Sequence, residues 1–126
     1  MSSEALEEEA RRFLVELSSA LGVKLSKVLD IYFSITPRRA RILEVVEEGG
    51  RVIGLRMAVE SDSRQGKWHY VSVGPYSAKC TCEANVMRGL ICKHIAAALI
   101  TWNMVSLIKT GRPVDVKALG WLKRNK

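Results

Sequence analysis

All three cysteines of this chain, and one of its two histidines, fall in one short run: Cys80-Thr-Cys82, nine residues, then Cys92-Lys-His94. Three thiolates and an imidazole make a complete tetrahedral ligand set for Zn²⁺. The spacing suits that chemistry. Residues two apart on an extended strand leave the same face, so Cys80 and Cys82 can converge on one ion. Cys92 and His94 do not share a helix face at that offset, so Cys92 is expected before or at the first turn of a helix. Ile-Ala-Ala-Ala-Leu-Ile-Thr-Trp, directly after His94, supplies the helix. The plainer alternative is a chance cluster of buried cysteines with His94 in the core. Scattered structural cysteines, however, do not all gather in one segment. With four protein ligands the shell is closed to an activated water, so one structural zinc is expected and hydrolysis on it is not.

Other chemistry finds little support. His69, the second histidine, sits between Trp68 and Tyr70 on an expected strand, as an exposed or core residue rather than a base. Glu60 and Asp62 are too few for a two-metal site. A thiol redox or metal-handling role would draw on Arg88 and Lys93 to lower a thiol pKa. It lacks a Cys-x-x-Cys, and thiolates held on zinc are largely passivated. The chain is therefore expected not to be an enzyme.

The elements that must position the ligands can be read from periodicity. Leu6, Ala10, Phe13, Leu14, Leu17 and Leu21 recur at helical spacing, which predicts an amphipathic helix from 3 to about 21, with Ser3 as N-cap and Gly22 ending it. A second helix covers Ser26 to about Ser34, and Thr36-Pro37 breaks it. Gly49-Gly50 between Arg39–Glu48 and the Val52–Val59 run predicts a hairpin. Trp68–Val73 is a third strand, and an edge segment at Tyr76–Thr81 leads into the cysteines. The helix from Ile95 to about Lys109 follows, stopped by Gly111-Arg-Pro113, and Asp115 caps a last short helix. The fold class is thus α+β, a small antiparallel β-sheet followed by a helix, with an N-terminal helical extension. The domain reading is 1–37 for the extension, 38–110 for the zinc domain and 111–126 for a short helix and basic tail.

At 126 residues and 48% hydrophobic, the chain can build one core. No apolar run reaches the roughly 18 residues of a membrane span. The acidic start is unlike a signal peptide, and an odd number of closely spaced cysteines argues against disulfides. A reducing compartment, cytoplasmic or nuclear, is expected. The net charge of +7 is uneven. Residues 1–37 carry a net of −2, residues 38–79 a net of +3 and residues 80–126 a net of +6. Clustered basic charge is the footprint of a nucleic-acid binder. DNA is therefore a candidate partner, with Arg38, Arg39, Arg41, Arg88, Lys93, Arg112, Lys123 and Arg124 as candidate phosphate contacts. The apolar stripe of the first helix, Leu6, Phe13, Leu14 and Leu17, serves either as core or as a partner-binding or homodimer face.

Cys80-x-Cys82…Cys92-x-His94, with the strands from about Arg41 and the helix to about Thr101, resembles the SWIM zinc finger. That module occurs in chromatin-remodelling enzymes, transposase-related proteins and recombination factors. His94-Ile-Ala-Ala97 also satisfies the extended pattern Cys-x-Cys…Cys-x-His-x-x-Ala of the SWIM subunit of the Shu recombination complex. The resemblance implies a small, archaeal-like relative of that subunit, whose partner is a RecA-family recombinase paralogue. A SWIM regulator of transcription, chromatin or transposition is the competing implication.

Overall fold

The computed structural model describes residues 2–61, 64–82 and 91–123, with residue 123 described by its backbone alone. Helix α1 spans Ser3–Leu21, and its cap is Ser2 rather than Ser3. Ser2 has the extended backbone an N-cap needs, and its Oγ accepts from Ala5 N–H at 3.2 Å, whereas Ser3 is already helical. At the other end Gly22 turns left-handed, at φ 69°. Its N–H reaches Ser19 O and that of Val23 reaches Ser18 O, the paired bonds of a Schellman stop. Helix α2, Leu25–Ser34, follows at once and buries Val28.

The sheet is an antiparallel meander in the order β1 (Ala40–Glu48), β2 (Arg51–Glu60), β3 (Trp68–Val73) and β4 (Ala78–Cys80). Gly49 and Gly50 join β1 to β2 with φ of 59° and 75°. Two successive positive φ values match the twist of the flanking strands in a two-residue hairpin. Strand β4 is shorter than the expected 76–81 segment, because Gly74 N–H bonds back to Ser77 O and spends those residues in a turn.

Register decides which residues meet the helices. Leu55 faces Val73, Met57 faces Val71, and Val71 faces Cys80, which places these residues on one face. All five are buried. A register shift between Val46 and Glu47 skips Ile53 on β2, so Val52 turns to that same face. There its carbonyl accepts a 2.9 Å hydrogen bond from Trp102 Nε1–H.

Helix α3, Lys93–Thr110, crosses this face against β2, β3 and β4, while α1 and α2 pack on it from outside the sheet. It is thus a central helix, buried from Ile95 through Ile100 without a break. That explains its sequence, which is apolar around most of its circumference rather than along one stripe. Beyond Gly111 the chain turns back. Val114 N–H donates to buried Asn103 Oδ1 at 2.9 Å, and Asp115 caps a 3-10 turn, Val116–Ala118, through Lys117 N–H. Helix α4, Gly120–Lys123, then sends Trp121 Nε1–H to Gly74 O at 2.8 Å.

The architecture is α+β as the sequence implies: N-terminal helices, a four-stranded antiparallel sheet, then a helix packed on it. Phe13, Leu14, Leu17 and Val28 join one buried cluster with Leu55, Met57, Leu99 and Leu122. At Gly54 a Cβ would meet Val73 O at 2.5 Å and Gly74 Cα at 3.3 Å, both backbone atoms. Gly54→Ala must therefore push β3 from β2 and should cost about 2 kcal/mol or more, as other overpacked sites do. Chemical denaturation checks this, with the exposed Gly120→Ala, where a Cβ meets nothing within 4 Å, as the control.

Candidate metal centre

Three different backbone settings deliver the four ligands. Cys80 ends β4 on the helix-facing side, opposite Val71. Cys82 lies just past the strand, in a bend. Cys92 is the N-cap of α3 with an extended backbone, and its carbonyl accepts from Ala96 N–H at 3.1 Å. His94 is the second residue of the helix proper, which starts at Lys93, two residues before the predicted Ile95. The offset between Cys92 and His94 works because the first stands outside the helix and the second inside it.

All four side chains are buried, at 4% to 8% exposure, and their ligand atoms lie within 4.8 Å of one another. The distance from Cys80 Sγ to His94 Nδ1 is 3.7 Å. Zn–S and Zn–N bonds at tetrahedral angles give a sulfur–nitrogen edge of about 3.6 Å. The donor set, its burial and this edge all fit zinc, which Cys80, Cys82, Cys92 and His94 would hold with His94 bonding through Nδ1. When bound, the ion supplies a cross-link between the end of β4 and the start of α3.

One of the thiols, Cys92, is already poised for deprotonation. The Cys80 thiol hydrogen-bonds to Cys92, which holds Cys92 below the ordinary thiol range despite its burial. The His94 ring and the Ile95 backbone N–H contribute in the same direction. Cys80 is raised correspondingly, first by that shared proton and then by burial. A thiolate at the N-terminus of a helix also gains from the helix dipole.

The family comparison matches the same stretch. A model of the SWIM zinc finger covers residues 69–103, from β3 through both cysteine pairs into the middle of α3. This protein carries a SWIM zinc finger. No curated protein and no solved structure matches the chain. The SWIM ligand set is Cys80, Cys82, Cys92 and His94, and the metal is one zinc.

The finger begins at His69, whose ring lies over His94 with centroids 4.8 Å apart and planes tilted by 36°. Burial first, and then neighbouring His94, hold His69 below the ordinary imidazole pKa. Sequence reasoning gave His69 no place near the metal. The available signal was its alternation with Val71 and Val73, which puts it on the face that carries Cys80.

The other predicted site residues do not, where they are described, form one surface. Lys93 and Arg112 are exposed at opposite ends of α3, about 25 Å apart by helix rise. Arg38 is exposed before β1, and the half-buried Arg39 offers its carbonyl to Glu60 N–H at 2.8 Å. The Arg41 guanidinium sits 5.1 Å from the centroid of the Trp68 ring. Arg88, Arg124 and the Lys123 side chain, like Asp62, lie outside the described residues. The partner-binding stripe on α1 requires a correction. Phe13, Leu14 and Leu17 are 2%, 6% and 0% exposed, spent on the chain's own core, and Leu6 is half-buried. Phe13, Leu14 and Leu17 are not free to dock a partner, because α2, α3 and the C-terminal segment already cover that side of α1. Among the described residues, no helix is long and apolar enough to cross a membrane.

Proposed function

We propose that this SWIM protein is a non-catalytic accessory factor of DNA recombination or repair. In this reading it binds a RecA-family recombinase paralogue, with DNA as a second ligand, in a reducing compartment. The observation that carries the reading is the closed, buried Cys3His set at the joint between β4 and α3. A shell filled by protein side chains organises shape and leaves the work to surfaces. The net charge of +7 supports an anionic ligand. Ala97, buried one turn after His94, completes the Cys-x-His-x-x-Ala pattern that resembles the Shu SWIM subunit. Its small side chain lets α3 sit close to its neighbours.

The test is affinity capture with the zinc-loaded, full-length chain from an extract of its own cells, read by mass spectrometry. Recovery of a RecA-family paralogue, lost with Cys82→Ser, is the expected result. Recovery of a transposase or a chromatin remodeller instead would assign the finger to the competing branch of SWIM proteins.

A further inference from the structure

The sheet has two faces, and only one is covered by α3. On the other, register places Arg41 opposite Ala58, Arg56 opposite Ser72, and Ser72 opposite Lys79. Tyr70 stands opposite Ala58, and Trp68 opposite Glu60. Tyr70 is 54% exposed and Leu43, at a bulge in β1, is 50% exposed. Among the described residues no helix packs on this side. The groove there, about 510 Å³, is lined by Leu43, Arg56, Tyr70, Ser72 and Lys79 among others.

We infer that this open face is a stacking platform for single-stranded nucleic acid. The inference rests on the reading of DNA as a ligand and specifies the surface and the strandedness. Three features point to that occupant. Trp68 and Tyr70 are two residues apart on one strand, so their rings project from the same face about 7 Å apart along it. Ala58, directly across from Tyr70 on β2, and Ser72, two residues further along β3, are both small, which leaves a flat floor from which Tyr70 stands proud. Arg56 and Lys79 flank Ser72 from either side and lie diagonal to Tyr70, so cations border the ring on two strands.

Bases stack on such rings whatever their sequence, while neighbouring cations hold the backbone. The duplex hides its base faces and offers nothing for Tyr70 to stack on. Glu44, opposite Arg56, and Glu60, opposite Trp68, lie on the same face, and Arg41, Arg56 and Lys79 outnumber them. Arg41, already over Trp68, keeps that ring in place for a base on its open side.

The experiment is fluorescence anisotropy of the zinc-loaded full chain with a labelled oligothymidylate, beside the same measurement on a duplex. Tyr70→Ala should weaken oligothymidylate binding about tenfold or more, and Tyr70→Phe should keep it, because a ring and not a hydroxyl is needed. Arg56→Gln and Lys79→Gln should each lower the salt slope by about one. All three positions changed are exposed, and unaltered zinc content and melting temperature confirm intact folding. Equal binding by wild type and Tyr70→Ala overturns the platform while leaving DNA as a ligand. Tighter binding to duplex than to single strand does the same. Absence of binding to either form overturns both the platform and the DNA reading, and Tyr70-dependent capture of a protein in that case makes the face a protein interface.

Discussion

Replacing Cys82 by Ser should strip the protein of its zinc and lower its melting temperature by about 10 °C or more. The size follows from where the ligand sits. Cys82 lies beyond the end of β4, a strand of only three residues, and Cys92 lies before the first turn of α3. A hydroxyl at position 82 is a poor zinc ligand, and three remaining ligands leave an incomplete shell. Losing a ligand held at a thousand times its dissociation constant removes about 4 kcal/mol of folding stability. For a chain of this size that corresponds to a fall of about 10–20 °C. It is well below the 10–16 kcal/mol by which zinc drives the folding of minimal finger peptides. The difference is expected, since a large core that includes Leu17, Leu55, Met57 and Leu99 adds apolar burial beyond the ligands themselves. Scanning calorimetry with elemental analysis reads both quantities. His94→Ala should behave alike, and a Cys82→Ser protein with full zinc and an unchanged melting temperature would sink this account.

The second large effect lies far from the metal. Leu17→Ala should destabilise the protein by about 3 kcal/mol while leaving one zinc per chain. Leu17 has no solvent exposure and belongs to the cluster formed with α3, so its truncation leaves a cavity that packed neighbours fill only in part. Val15→Ala, on the 52% exposed side of the same helix, should stay within about 0.5 kcal/mol. Urea denaturation of the two variants separates the alternatives for α1. A detached extension that waits for a partner would make both substitutions silent in the isolated protein. A helix built into the core makes only Leu17 costly.

The local features of this fold were legible because short-range chemistry determines them. The Leu6–Leu21 spacing marks α1, Gly49-Gly50 marks the hairpin, and the cysteine spacings mark the metal ligands. The Ser2 cap was missed because adjacent serines differ only in which one turns extended. The start of α3 was set two residues late because Cys92, with no capping side-chain bond, is not a residue that announces a helix. What sequence did not yield is long-range. His69 meets His94 only through the pairing of β3 with β4 and the passage of α3 beneath them. The bulge at Leu43 and the skipped Ile53 decide which residues of β1 and β2 face α3, and neither position has a distinctive residue type. Of the basic residues, a single set when read along the chain, Lys93 and Arg112 fall at opposite ends of α3 and Arg41 on the far face of the sheet. The stripe on α1 has the same composition whether it meets its own core or another protein, and only the position of α3 decided between them.

The central claim is that zinc is held by a complete shell of protein ligands and serves as a structural joint. X-ray absorption at the zinc edge of the purified, full-length protein tests it most directly. The account predicts one zinc per chain with three sulfurs at about 2.3 Å and one nitrogen at about 2.0 Å. A shell with an oxygen from water in place of a thiolate or the imidazole, or a stable protein that binds no zinc, would contradict it.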